Sequence, residues 1–136
     1  MVKLIGIILL AFICMTPYHL ASADTEESSA LLCAVIEVFE CSLESDCSEV
    51  SAESVNIPRF IRVDFEKKKL TMPEGSEVKR ESAIRNIEQN NGTLFLQGVE
   101  HGRSWSMAIS EESGKMTGTA SEDEGVLAVF GACVLD

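Results

Sequence analysis

The chain has 136 residues and a formal net charge of −11, from 22 acidic and 11 basic side chains. That charge opposes binding to nucleic acid and to anionic lipid, whose phosphates repel it. A hydrophobic content of 46% is too high for a disordered chain.

Residues 1–23 read as a cleavable signal peptide. Lys3 supplies a short positive region, Leu4 to Met15 form an uncharged apolar run, and Ala21-Ser22-Ala23 present small residues before Asp24. The apolar run is shorter than the roughly 20 residues that cross a bilayer. Cleavage is expected between Ala23 and Asp24. Ala11-Phe12-Ile13 before Cys14 is too bulky for a lipidated cysteine. Cys14, Tyr18 and His19 therefore leave with this segment. The mature chain, 24–136, is expected to be a single small domain of 113 residues with ten basic against 22 acidic side chains, a charge of −12.

Four cysteines remain, Cys33, Cys41, Cys47 and Cys133. An even number in an exported chain reads as two disulfides, with three connectivities open. The short polar loop 42–46 makes Cys41–Cys47 the favoured pair and leaves Cys33 for Cys133. A zinc site is disfavoured, because there is no C-x-x-C pair and only one mature histidine, His101.

The segment 26–40 is ambiguous. Leu32, Ile36 and Phe39 fit a helical stripe capped by Ser28 or Ser29, whereas Leu31, Cys33, Val35, Phe39 and Cys41 fit one face of a strand. The strand is preferred. Next, Phe60 to Phe65 alternates, with Ile61, Val63 and Phe65 facing one way. Glu66 to Lys68 is a polar turn, Leu70 to Met72 a short returning strand, and Pro73 to Ser76 a loop. Within Lys79 to Glu88, the spacing of Ile84 and Ile87 suits a helical turn as well as a strand. Asn90-Asn91-Gly92 is the strongest hairpin signal. Thr93 to Val99 is a strand and Glu100-His101-Gly102 a turn. Trp105, Met107 and Ile109 then alternate with small residues on a half-buried strand. A turn at 111–114 precedes a Thr-rich strand, 116–120. A turn at 121–125 precedes the apolar run 126–135, which reads as a buried closing strand.

This is a meander of hairpins, so the expected fold is all-β, an antiparallel meander closing into a small up-and-down β-barrel. A β-sandwich, or an α+β fold with an N-terminal helix at about 26–40, is the alternative. The barrel is preferred because closure sets the first and last strands side by side, within disulfide reach of Cys33 and Cys133.

The run 58–65, together with Gly102-Arg103-Ser104-Trp105-Ser106-Met107-Ala108-Ile109, Gly114-Lys115-Met116-Thr117 and Phe130-Gly131-Ala132-Cys133, resembles a family of short, uncharacterised exported bacterial proteins. The resemblance covers most of the mature chain and rests on turns, one tryptophan and a terminal cysteine. It implies a bacterial source and export across the inner membrane. It brings no activity, cofactor or catalytic residue.

No catalytic constellation is legible. His101 lies in a turn, no G-x-S-x-G frame surrounds a serine, and no H-E-x-x-H, P-loop or EF-hand pattern occurs. Glu122-Asp123-Glu124 reads as a solvated turn. Met72, Met107 and Met116 are too scattered in sequence for a copper-binding cluster. Asn91-Gly92-Thr93 matches a glycosylation sequon, but in a bacterial chain it is hairpin chemistry. Trp105 is either core or the floor of a ligand pocket. The expected function is that of a non-catalytic binding or interaction protein of the periplasm or extracellular space. Its expected partner is a small molecule or an envelope protein. No cofactor, metal, nucleic acid or mature membrane anchor is expected. The rivals are a small envelope hydrolase using carboxylates with His101, and a structural or envelope-stress protein without ligand.

Overall fold

The computed structural model describes residues 30–76 and 79–136. The signal segment, the Ala23–Asp24 junction and the caps considered at Ser28 and Ser29 lie outside the described residues. The described residues form nine strands: β1 (Ala30–Ser42), β2 (Ser48–Val50), β3 (Phe60–Asp64), β4 (Lys69–Thr71), β5 (Glu81–Asn90), β6 (Thr93–Glu100), β7 (Arg103–Ser110), β8 (Lys115–Ser121) and β9 (Gly125–Leu135). Every pairing is antiparallel, and β1 pairs with β9 as well as with β3. Eight strands close into a barrel, and β2 is the extra one.

β1 is long enough to serve three neighbours. Its first half pairs with β3 through Ala30↔Asp64 to Ala34↔Phe60, its second half with β2 through Val38↔Val50 to Glu40↔Ser48, and its other edge with β9. The segment 51–59 leaves β2 and crosses one end of the barrel before β3 begins. We call it the strap. Short turns at 65–68, 91–92 and 111–114 finish the opposite, closed end.

Both segments whose periodicity looked helical are strands that carry a β-bulge. The register of β1 on β9 shifts between Val35 and Glu37, and that of β5 on β6 between Ile84 and Asn86. An extra residue turns a spacing of two into a spacing of three on the same face. Val35 and Val38 thus both point inward, which sets Leu32, Ile36 and Phe39, the stripe that looked helical, on the outer face, and Ile84 and Ile87 likewise share the inner face across their bulge. The expected strand face of β1 needs the same correction. Leu31, Cys33 and Val35 share the inner face, but after the bulge Phe39 and Cys41 stand outside. Phe39 there meets Phe130 edge to face, ring centres 6.1 Å apart.

At the bulge, Val35 N–H donates to the Arg59 carbonyl at 2.8 Å. The Asn91-Gly92 turn has positive φ at both residues, as a type I′ hairpin requires. His101-Gly102 has the same signature. β9 is corrected in one respect. Leu127, Val129 and Cys133 are buried, but Phe130 and Val134 face outward and are exposed, and Leu135 is exposed at the strand's end, so only one face of the closing strand is covered.

Two disulfides staple the frame. Cys33–Cys133 joins directly opposed residues of β1 and β9, 3.9 Å apart at Cα and 100 residues apart in sequence. Cys41–Cys47 closes the loop between β1 and β2. In the chain-entropy picture the long closure is worth about 4–5 kcal/mol and the short one about 2 kcal/mol. Disulfides persist in oxidising compartments, so the pair points to a location outside the reducing cytoplasm.

Candidate ligand site at the strap end of the barrel

The site is built from strand alternation. On β6, Leu94, Leu96, Gly98 and Glu100 point inward. On β7, Arg103, Trp105, Met107 and Ile109 do, and on β8, Met116, Gly118 and Ala120. Trp105 is opposed by Gly98 on one side and Ala120 on the other. Its ring lies over Gly98, where an added Cβ would come within 2.3 Å of the indole, so only glycine leaves room for it. The indole N–H donates to Ser82 Oγ at 2.9 Å, which satisfies its one polar group inside the barrel.

Around Trp105 the barrel is not filled. A cavity of about 100 Å³ is walled by Trp105, Ile61, Leu70, Met107, Met116 and Val129, with Gly118 and Ala120 contributing almost no side chain. Ile61, Leu70 and Trp105 face inward yet are only half-buried. By contrast Leu96 and Val63, deeper in the barrel, are 0% exposed. The cavity is open to solvent on one side, so the cost of leaving it unfilled is that of apolar wall left in contact with water.

The strap makes the outer wall, contributing Ile57 and Pro58. It has its own local order. Ser54 N–H and Oγ both bond to Ser51, Ile57 N–H donates to the Ala52 carbonyl at 2.8 Å, and Asn56 turns the chain with a left-handed φ of 56°. Ala52 is buried in the core and anchors the strap. Two arginines tie it to the barrel rim. Arg80 Nη1 donates to the Asn56 carbonyl at 2.5 Å, and Arg103 Nη1 to the Val55 carbonyl at 3.1 Å. Arg80 also grips Glu100 with two bonds, Nε to Oε1 at 2.5 Å and Nη2 to Oε2 at 3.1 Å. Arg103 Nη2 donates to Glu122 Oε1 at 2.6 Å. On the strap's outer side, Arg59 pairs with Glu53 at 2.7 Å and holds that carboxyl below its ordinary pKa.

Trp105 is the sequence-derived site residue that the fold places at the cavity. Cys33–Cys133 and Cys41–Cys47 are its staples and do not line it. His101 is elsewhere: its side chain is 85% exposed, and Nδ1 lies 3.4 Å from Glu100 Oε1. Its backbone holds the first left-handed position of the hairpin. Met72, Met107 and Met116, far apart in sequence, all line this one cavity. Among the described residues no group of three or more His, Cys, Asp or Glu is arranged to hold a metal ion, and no helix is long and apolar enough to cross a membrane.

Sequence reasoning missed Arg80, Glu100 and Arg103. A signal existed for two of them. Continuing the Trp105-Met107-Ile109 alternation back by two reaches Arg103, and continuing Leu94-Leu96-Gly98 forward reaches Glu100. Opposed charges at the inward ends of neighbouring strands mark a polar rim over an apolar interior. Arg80 precedes β5 in an irregular stretch and has no such periodicity.

No protein-family model, curated protein or solved structure matches this chain.

Proposed function

We propose that this chain is an exported, non-catalytic binding protein that holds a small molecule beneath the strap, on the inner face of the barrel around Trp105. The observation that carries the reading is the unfilled interior at one end of a barrel whose other end is packed. Closed eight-stranded barrels are just wide enough to be filled by side chains or to hold one small ligand. Here Gly118 and Ala120 stand where larger residues would complete the core, and the apolar wall they leave uncovered lowers stability. The two disulfides and the signal-like segment support export. A purely structural protein would gain by filling the cavity. For the hydrolase alternative, His101 does share a solvent-open cleft with Glu40, Glu122, Asp123 and Glu124, but its side chain is 85% exposed and the carboxylate beside it, Glu100, is engaged by Arg80.

Native mass spectrometry of the mature protein purified from its own envelope tests this reading. A bound mass that the Gly118→Leu variant does not retain is the expected result. An identical mass on both proteins would place any ligand elsewhere and reject the barrel site.

A second reading, docking of an envelope protein, is favoured by the outer surface. Phe95, Ala108, Thr117 and Phe130 stand in register across β6, β7, β8 and β9, with Phe95 and Phe130 exposed. Contiguous apolar surface of this kind marks interaction sites. Crosslinking in intact cells that depends on Phe95 and Phe130 would favour it.

A further inference from the structure

We infer that the cavity selects a compact, uncharged, apolar molecule no larger than about one six-membered ring, and excludes carboxylates and amines. This rests on the binding reading above and assigns it a ligand class.

The rim seems at first built for an anion, since two guanidinium groups flank the cavity. The carboxylates they are paired with oppose that use. Arg80 spends Nε and Nη2 on Glu100 and Nη1 on the Asn56 carbonyl. Arg103 spends Nη1 on the Val55 carbonyl and Nη2 on Glu122. Two cations face two carboxylates, so the rim is neutral in sum. An anionic ligand would have to share the remaining N–H groups of these arginines with Glu100 and Glu122, and so sit beside both carboxylates. A cationic ligand would have to displace an arginine that also holds the strap. Both arrangements are unfavourable at a partly buried rim, where unpaired charge is costly. The remaining polar side chains do not alter this balance. The Trp105 indole N–H is already bonded to Ser82, and no buried side-chain polar atom among the described residues lacks a partner.

The wall supplies the positive part of the selection. Trp105, Ile61, Leu70 and Val129 offer apolar contact, and Met72, Met107 and Met116 offer polarizable sulfur that packs well against aromatic edges. Size sets the upper limit. An apolar cavity of about 150 Å³ accepts benzene or xenon. The cavity here is about 100 Å³, and the flexible methionines supply the adjustment a single ring needs. A fatty acyl chain or a fused bicyclic ring exceeds it and would extend through its open side, leaving apolar surface in water.

The test uses mature protein with its Met methyls carbon-13 labelled, titrated with benzene, toluene, benzoate, benzylamine and naphthalene. Benzene and toluene are expected to shift the Met107 and Met116 methyl signals saturably and to change Trp105 fluorescence. Benzoate and benzylamine are expected to bind at least tenfold more weakly, and naphthalene not at all. Gly118→Leu, whose side chain would project into the cavity, is expected to abolish these shifts. Should that variant fail to fold, Ala120→Val performs the same block from the adjacent inward position.

Benzoate, benzylamine or naphthalene binding as tightly as toluene would overturn the ligand class while leaving the binding reading intact. Saturable silver(I) binding at the methionines, without response to benzene or toluene, would do the same. No response to any probe, together with no retained mass from the native envelope, would overturn both.

Discussion

The closed end and the strap end of this barrel are made from the same eight strands, yet they are finished by different chemistry. At the closed end the inward side chains are large and meet each other. Ile109, Met116, Val63 and the Cys33–Cys133 bond fill the cross-section, and the turns are short. Polar groups are tied locally: Asp64 accepts from the Lys67 backbone N–H at 2.8 Å and from Arg62 at 3.1 Å, and Arg62 also binds Asp136. At the strap end the inward positions alternate between one large ring and residues with little or no side chain. The gap is covered by a crossing segment held through backbone carbonyls. The difference teaches that closing a β-barrel and filling it are separate matters. Strand pairing and a disulfide achieve the first, while side-chain volume decides the second.

The largest way to break the comparison is at the closed end. Replacing Cys33 and Cys133 together by alanine is expected to lower unfolding free energy by about 4 kcal/mol, within the 2–5 kcal/mol range for native disulfides. Denaturant titration measures it. Loss of less than about 1 kcal/mol would show that β1–β9 pairing alone closes the barrel.

At the strap end, Arg80→Ala leaves Glu100, whose side chain is only 13% exposed, without its bidentate partner and frees the Asn56 carbonyl. A loss of about 2–3 kcal/mol is expected, as for removing one partner of a partly buried pair. Hydrogen exchange sharpens the result. Protection should fall across the strap and the β5–β6 rim, and remain around Cys33 and Cys133. Uniform loss of protection would mean that the two ends unfold as one unit.

Ser82→Ala is smaller. It strips the acceptor from the Trp105 indole N–H, at an expected cost of about 1–2 kcal/mol. Trp105 fluorescence should shift with it, and an unchanged emission would show that the ring keeps its place without the bond.

The smallest effect belongs to Asp64, and it depends on pH. Its carboxyl is held below the ordinary value of 3.8, first by the Lys67 backbone N–H and then by the charges of Lys67 and Arg62, against the opposing effect of burial. The native state therefore binds this proton less readily than the unfolded chain does. Its stabilising contribution is complete above about pH 4 and is lost as pH falls through the lower native value. Asp64→Asn should lower stability at pH 7 by the contribution of the charged carboxylate and flatten stability against pH in that acidic window, so that the two proteins converge as pH falls. An equally steep acid slope in the variant would assign the proton uptake to other carboxylates.

Much of this molecule was legible along the chain. The strands from 60 onward follow from period-two alternation and Asn-Gly or Gly-containing turns. The disulfide partners follow from a short loop and from the adjacency of first and last strands in a closed meander. The inward direction of Trp105 follows from its own strand. These are local or topological consequences, and they need no knowledge of what lies across the barrel. Two strands escaped clean reading because a single inserted residue changes the period, and the side chains around Val35 and Ile84 carry no mark of which residue will be extra. The three residues of β2 were too few to show any period.

Tertiary structure alone decided the cavity. Gly118, Ala120, Met72 and Leu70 are unremarkable where they stand in the sequence. A void appears only when their small and flexible side chains converge from different strands, because packing depends on the summed volume of residues distant along the chain. The rim was decided in the same way. Arg80 and Arg103 become ties for the strap because closure carries Val55 and Asn56 across the mouth, setting carbonyls of one segment before guanidinium groups of two others.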